Sequence, residues 1–96
     1  RIAHAMGECS ILMMANHGVT VTGLSVEMAF NDLYYLERAA MFQVLARSTG
    51  GRLRSIEPEV IARTRTQFPE EMPKLAARHF SALKRILDRE EPEYRQ

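Results

Sequence analysis

The chain has 96 residues, a mass of 11.0 kDa and a net charge of +1, which fits one small domain or part of a larger one. Apolar residues make up 46%, enough for a hydrophobic core, and the balanced charges exclude a nucleic-acid or membrane-surface protein that binds through bulk charge. No apolar run reaches the roughly 18 residues of a membrane span, and the single cysteine excludes an internal disulfide framework, so the composition indicates a soluble, cytoplasmic protein.

The first residues are typical of the end of a helix. Residues 1–7 place Gly7 where a helix commonly stops. The first residue is Arg1 rather than Met, and no secretory signal follows it. We therefore expect a fragment whose preceding part is missing; the alternative is a short helix at a processed terminus.

A β-hairpin is predicted next. Residues 11–15 form a short apolar run that indicates a strand buried on both faces. Residues 19–22 alternate and are β-branched throughout, which indicates a second strand. The three residues 16–18 between them predict a hairpin loop whose last position, Gly18, is left-handed.

A long helix is predicted over residues 26–48. Ser25 suits its N-cap, Glu27 its first turn, and Gly50 its end. Its apolar residues fall into two bands on nearly opposite sides, and this pattern predicts packing on two sides rather than a compact monomer, with either missing parent segments or neighbouring subunits of a homo-oligomer covering the second band. The first band contains Val26, Phe30, Leu33, Ala40, Met41 and Val44, the second Met28, Tyr35, Ala39, Phe42 and Ala46, and an arc of Glu27, Asn31 and Arg38 separates them.

Two further helices are predicted in the second half. Pro58 suits the start of a helix over residues 58–67, which Phe68 and Pro69 end. Pro73 opens a last helix that reaches about residue 90, and the tail 90–96 is expected to be frayed. The last helix carries a clean apolar face of Leu75, Ala76, His79, Phe80, Leu83, Ile86 and Leu87.

The three histidines differ in their surroundings. His4, in the last turn of a helix, and His79, on an apolar helix face, are expected to be structural, His79 with one satisfied hydrogen bond. His17 lies at the tip of the hairpin, where a rigid turn can hold an imidazole for a metal ion. Its spacing alone is also ordinary turn chemistry, and Glu8 and Cys9 lie at the far end of the preceding strand, so any further ligands lie elsewhere. The sequence contains no nucleotide-binding or hydrolase motif.

The order of these motifs resembles a known family. Residues 11–23, with the pair His17-Gly18 between two strands, resemble the corresponding strands of the class II aldolase/adducin family. Residues 25–30 and 33–40, together with Gln43, resemble the long helix that follows in that family. The resemblance covers residues 1–50, the C-terminal part of such a domain, whereas residues 51–96 resemble the helical C-terminal extension of bacterial members.

This resemblance implies a class II aldolase-like α/β/α layered fold, of which this chain supplies a helix end, a hairpin, a long helix and two C-terminal helices. It implies a divalent metal ion, usually zinc, held by three histidines, of which His17 matches the third. The other two ligands and the acidic proton-transfer residue are implied upstream, so no catalytic or further cofactor-binding residue is assigned in this chain.

The implied function is carbon–carbon bond cleavage of a small hydroxylated or phosphorylated carbonyl compound. The alternatives are an adducin-like non-catalytic interaction module and a free-standing helical interaction domain.

Overall fold

The computed structural model describes residues 1–68 and 70–96. Its elements are helix α1 (Ile2–Met6), strands β1 (Ile11–Met14) and β2 (Gly18–Val21), helices α2 (Val26–Ser48), α3 (Pro58–Gln67) and α4 (Met72–Glu90), and a short 3₁₀ helix (Pro92–Arg95). The predicted order of a helix end, a hairpin, a long helix and two further helices is therefore confirmed. The predicted role of Pro69 in ending α3 lies outside the described residues. No helix among the described residues combines the length and the apolar character needed to cross a membrane.

The hairpin turns one residue earlier than predicted. Strands β1 and β2 pair antiparallel, with Met14 opposite Gly18, so the loop is residues 15–17 rather than 16–18. The left-handed position is Asn16, with φ of 62°, and the His17 N–H donates to the Met14 carbonyl oxygen at 3.2 Å. Asparagine tolerates positive φ at the third position of such a turn, which lets the chain reverse before Gly18. Gly18 begins the second strand with φ of 108°, a value that favours glycine.

The hairpin has one open face. The prediction that β1 is buried on both faces is wrong for this chain, because Met13 is 69% exposed. In the described residues the sheet has two strands, and only α1 packs on β1 and only α2 packs on β2. Burial of both faces needs an element packed on each side of the sheet, and the described residues place none over Met13.

Gly23 joins the hairpin closely to α2. The strand pairing continues to Thr22, whose N–H donates to the Ser10 carbonyl oxygen at 2.8 Å. A Cβ atom on Gly23 would lie 2.8 Å from the backbone nitrogen of Ala29. That nitrogen donates to the Ser25 carbonyl oxygen in the first turn of α2, so it cannot move without disturbing the helix.

Gly23→Ala is therefore expected to lower the free energy of unfolding by about 1–3 kcal/mol, the usual cost of forcing extra atoms into a tight contact. Urea denaturation followed by circular dichroism measures this change. Gly51→Ala is the matched control, because its Cβ would meet only the flexible Thr49 side chain, at 3.3 Å. Equal stability of the two variants would contradict the close approach at Gly23.

Helix α2 has the bounds that its capping residues predict. The Ser25 side chain accepts a hydrogen bond from the Met28 N–H at 3.2 Å, and Glu27 lies in the first turn. At the other end, the Gly50 N–H donates to the Arg47 carbonyl oxygen and Gly50 has φ of 72°. Local chemistry at both ends therefore fixes the length of this helix.

The packing of α2 does not follow the two predicted bands. Helix α4 packs on the arc between them, where Asn31 is only 4% exposed. The Asn31 amide lies 3.9 Å from the Met72 sulfur, and Phe30 and Tyr34 beside it contact His79. A side chain as small as Asn31 lets α4 approach closely, as does Ala76 of α4, which is 1% exposed. Asn31 thus lies on the predicted arc between the two bands, but α4 buries it there.

The second half of α2 is uncovered in the described chain. Its large apolar residues Met41, Phe42, Val44 and Leu45 are all exposed. Tyr35, from the second predicted band, and Val26 and Leu33, from the first, are exposed as well. An apolar surface of this extent is typical of a surface that another element or another chain covers.

The C-terminal tail folds back on α4. Residues Pro92–Arg95 form a 3₁₀ helix, so the prediction of a frayed tail is wrong. The Tyr94 hydroxyl donates to the Asp88 carboxylate, and the Arg95 guanidinium forms an ion pair with the same group. One acidic side chain thus binds two tail residues, a tertiary contact that residue composition alone does not reveal.

The same contacts make the tail sensitive to acid. The Tyr94 hydroxyl and the Arg95 guanidinium hold the pKa of the Asp88 carboxyl below its usual value. A lowered folded-state pKa stabilises the folded tail above the unfolded pKa of about 3.9, and this stabilisation is lost as the pH falls through the folded value. An NMR titration is expected to give Asp88 a pKa below the usual value, with a Tyr94 ring shift that follows it and disappears in Asp88→Asn. A normal Asp88 pKa would contradict the contact.

Candidate metal-ligand site

His17 projects from a turn whose backbone is fixed. It is the last residue of the hairpin loop, and its N–H closes the turn on the Met14 carbonyl oxygen. The residue is exposed, and its imidazole forms no hydrogen bond with the described residues. The side chain is therefore free to bind a ligand without breaking any contact that holds the turn.

Asn16 shapes the turn through its backbone. Within the described chain the Asn16 side chain forms no hydrogen bond to the His17 ring, whereas its φ of 62° sets the direction of the loop. The contribution that the structure gives to Asn16 is thus conformational, because few residues other than glycine tolerate this region.

The donors needed to complete a metal site are not gathered around His17 in the described residues. Over residues 1–68 and 70–96, no three His, Cys, Asp or Glu side chains come together as a set that could hold a metal ion. Glu8, Cys9 and His4 are exposed, and they precede β1, at the end of the hairpin opposite the loop. The residues present thus fit the metal implied by the resemblance as one imidazole ligand, with about two more required from outside the described chain.

His79 lies in an aromatic cluster between α2 and α4. Its ring centroid is 4.6 Å from that of Tyr34 and 6.2 Å from those of Phe30 and Tyr35. The predicted core position is therefore correct. The predicted satisfied hydrogen bond is not observed, because the buried Nδ1 atom has no partner in the described residues.

A cavity of about 520 Å³ opens beside this cluster. It is mostly apolar, and its polar groups are the Asn31 amide, the Tyr35 hydroxyl and His79. The sequence does not predict that Asn31 lines this cavity. The feature that could have indicated it is a small amide side chain within a helix rich in apolar residues. The aromatic cluster lies between α2 and α4, away from the hairpin tip. It therefore supplies no metal ligand to a site at His17.

Comparison with known proteins identifies the family. The sequence profile described as the Class II Aldolase and Adducin N-terminal domain matches residues 1–44. This segment includes the hairpin, His17 and most of α2. Residues 1–44 are therefore related to the class II aldolase/adducin family, as the order of the motifs predicts.

Relatives of two kinds are similar to the chain. The "Putative aldolase class 2 protein PA3430" of Pseudomonas aeruginosa is 31% identical over 100% of this chain, and the "Putative aldolase class 2 protein" of Caulobacter vibrioides is 32% identical over 98%. Human "Beta-adducin" is 32% identical over 83% of it. The chain spans 39%, 37% and 13% of these three proteins, respectively. No solved structure matches it significantly.

Proposed function

We propose that this chain is the C-terminal part of a metal-dependent aldolase-like lyase. The complete protein cleaves a carbon–carbon bond in a small hydroxylated or phosphorylated carbonyl compound, and the rest of its active site lies upstream. The hairpin is then part of a larger sheet in an α/β/α layered domain. Residues 1–50 belong to that domain, residues 51–96 form its helical extension, and the protein is cytoplasmic.

The exposed imidazole of His17 on a fixed turn carries this proposal. Its backbone is held by the bond to Met14, so little backbone conformational entropy is lost when the ring binds a metal ion. Two further observations support the larger domain. The open face at Met13 offers an apolar surface for another layer, and the Pseudomonas relative, which is about two and a half times longer, is similar along the whole chain.

At such a site, the chain supplies one metal ligand, His17, and the hairpin turn that carries it. His17 would hold a divalent metal, for which zinc is our proposal, through its imidazole. Such a metal would supply Lewis-acid chemistry, polarising a substrate carbonyl and stabilising negative charge on its oxygen. The left-handed Asn16 and the strand pair β1–β2 fix the backbone position of His17, from which its imidazole reaches the site.

The complete protein tests this function directly. We expect it to release two smaller carbonyl products from at least one member of a panel of hydroxylated and phosphorylated ketoses and aldoses. Removal of the metal with a chelator is expected to abolish the cleavage, and zinc or another divalent ion is expected to restore it. Cleavage that is unaffected by complete metal removal would contradict the proposal.

The isolated 96-residue chain is expected to lack both the activity and a tight metal site. It provides one of the roughly three protein ligands that a catalytic zinc needs. Isothermal titration calorimetry with zinc checks this, and His17→Ala is the matched variant. Micromolar binding of one zinc per chain that disappears in His17→Ala would show that the site is complete without the upstream part.

A non-catalytic interaction module is the second candidate. The similarity to human "Beta-adducin" favours it, as does the exposed apolar surface on the second half of α2. In this alternative, as in the first, we propose a homo-oligomer in which neighbouring subunits or upstream segments cover that surface. The two candidates differ at His17, because an interaction module has no need for a metal-binding imidazole there. A metal-free protein with no lyase activity would favour the module.

A further inference from the structure

The cavity between α2 and α4 contains a buried amide without a strong partner. Asn31 lines this cavity and is almost completely buried. In the described part of the chain, its side-chain nitrogen has a weak contact with the Met72 sulfur at 3.9 Å, and its side-chain oxygen accepts no hydrogen bond. Buried amides normally have partners, because their desolvation costs free energy. A small apolar residue would let α4 approach α2 as closely without this cost, so packing alone does not account for Asn31.

His79 adds a second polar group that lacks a partner. It lines the same cavity, and its buried Nδ1 atom forms no hydrogen bond within residues 1–68 and 70–96. Helices α2 and α4 thus each bring one polar side chain with an unsatisfied atom to this cavity. Polar groups with a purely structural role are paired inside the protein, whereas a few polar groups that converge on an apolar cavity are typical of a ligand site.

The rest of the lining defines the kind of ligand. The cavity has a volume of about 520 Å³, in the range of small-molecule sites. Among its described lining residues there is no Asp, Glu, Lys or Arg, so a charged ligand would lose its hydration without gaining an ion pair. The other lining side chains are aromatic, aliphatic or a thioether, all of which pack well against a flat aromatic ring. They are Tyr35, Phe68, Met72 and Leu75.

The two ends of the cavity differ. Tyr35 and Leu75 are 56% and 44% exposed, so the cavity is open to solvent on their side, whereas Asn31 marks its closed end. A ligand that enters past Tyr35 and Leu75 thus meets the amide last. A hydroxyl group suits the closed end, because it donates and accepts hydrogen bonds and carries no charge.

We propose that this cavity binds a neutral aromatic compound with one hydroxyl group. The hydroxyl donates a hydrogen bond to the Asn31 side-chain oxygen, and the ring packs between Met72 and Leu75. When the His79 ring turns towards the bound hydroxyl, its Nδ1 atom gains a partner as well. This site is separate from His17, and its occupation does not depend on the metal or on the proposed reaction.

Fluorine NMR of the complete protein tests the site, because it detects weak binding and shows whether upstream segments leave the cavity open. The probe is 4-fluorophenol, and its control is 4-fluorotoluene, which has nearly the same shape and no hydroxyl. We expect 4-fluorophenol to bind with a Kd on the order of 1 mM and 4-fluorotoluene to bind about fivefold more weakly, because toluene leaves the amide unpaired. No binding of 4-fluorophenol, or binding of 4-fluorotoluene that is as tight, would overturn the proposal.

The same measurement separates this site from the metal site. In His17→Ala, the binding of 4-fluorophenol and its preference over 4-fluorotoluene are expected to persist. With ¹⁵N-histidine labelling, the His79 ring signals are expected to shift during the titration, and those of His17 are expected to stay in place. Loss of the preference in His17→Ala would assign the probe to the hairpin tip and overturn the proposal.

Two variants locate the bound hydroxyl. Asn31→Leu is expected to abolish the preference for 4-fluorophenol, whereas Gln43→Leu, the same kind of exchange at an exposed position of α2, is expected to keep it. Leu75→Trp fills the open side of the cavity and is expected to abolish the binding of both probes. It stays informative if Asn31→Leu does not fold, because Leu75 is half-exposed, and circular dichroism checks the helices of each variant. An unchanged preference in folded Asn31→Leu, or unchanged binding in Leu75→Trp, would overturn the proposal.

Discussion

Replacement of His17 by alanine in the complete protein is expected to remove bound metal and turnover together. A catalytic zinc site with about three protein ligands does not retain its ion firmly when one is lost. The fold is expected to survive, because the turn is closed by the His17 N–H and by the conformation of Asn16, neither of which involves the imidazole. Metal content per subunit, measured by mass spectrometry beside the cleavage rate, checks both effects.

His4→Ala is the control for this experiment. His4 is also an exposed histidine of the family segment, but it lies on α1 rather than at the hairpin tip. This variant is expected to keep its metal and its activity. Full metal content in the His17→Ala protein would refute the assignment, whatever happens to the rate.

Replacement of Phe30 by alanine is expected to have the largest effect on stability among single changes in the described core. The Phe30 ring packs edge-on against Phe80, with centroids 5.5 Å apart, and contacts His79 and Tyr34 as well. Truncation of a partly buried phenylalanine leaves a cavity between α2 and α4 and costs about 2–4 kcal/mol. Urea denaturation of the chain, followed by circular dichroism, measures the loss.

Phe42→Ala provides a control of the same residue type on the same helix. Phe42 is 62% exposed and lies on the uncovered half of α2. The change is expected to cost less than about 0.5 kcal/mol in the isolated chain, as surface substitutions usually do. Equal losses in Phe30→Ala and Phe42→Ala would mean that α4 does not dock where the structure places it.

Elements that local chemistry determines could be predicted from the sequence. Ser25 and Gly50 fix the ends of α2, and Pro58 fixes the start of α3. The sequence predicts the hairpin but places its loop one residue late, because glycine is the usual left-handed residue and Asn16 takes that role here. Both Asn16 and Gly18 can adopt positive φ, so the sequence alone does not decide which of them takes the left-handed position of the loop.

Contacts between elements could not be predicted in the same way. Helical periodicity places Asn31 on a polar arc, yet α4 packs there because a small side chain permits a close approach. The binding of Tyr94 and Arg95 by Asp88 depends on how the chain turns after α4. Both contacts are set by the geometry of neighbouring elements, which hydrophobic patterning does not encode.

The candidate site was predictable only in part. The pair His17-Gly18 between two strands is one motif in an ordered series that predicts the family, and the match over residues 1–44 confirms that family relationship. The role of His17 as a metal ligand stays a prediction. The structure adds that the ring is exposed on a fixed turn. The remaining ligands could not be identified, because the described residues bring no other donors into a set with His17.

The most direct test of the account is to observe His17 itself during metal binding. The complete protein, labelled with ¹⁵N-histidine, is titrated with zinc, and the His17 ring signals are assigned by their absence in His17→Gln. We predict that one His17 ring nitrogen shifts to a metal-bound position and reaches its end point at one zinc per subunit, with the His4 signals unchanged. Stoichiometric zinc binding that leaves the His17 ring signals unchanged would contradict the account.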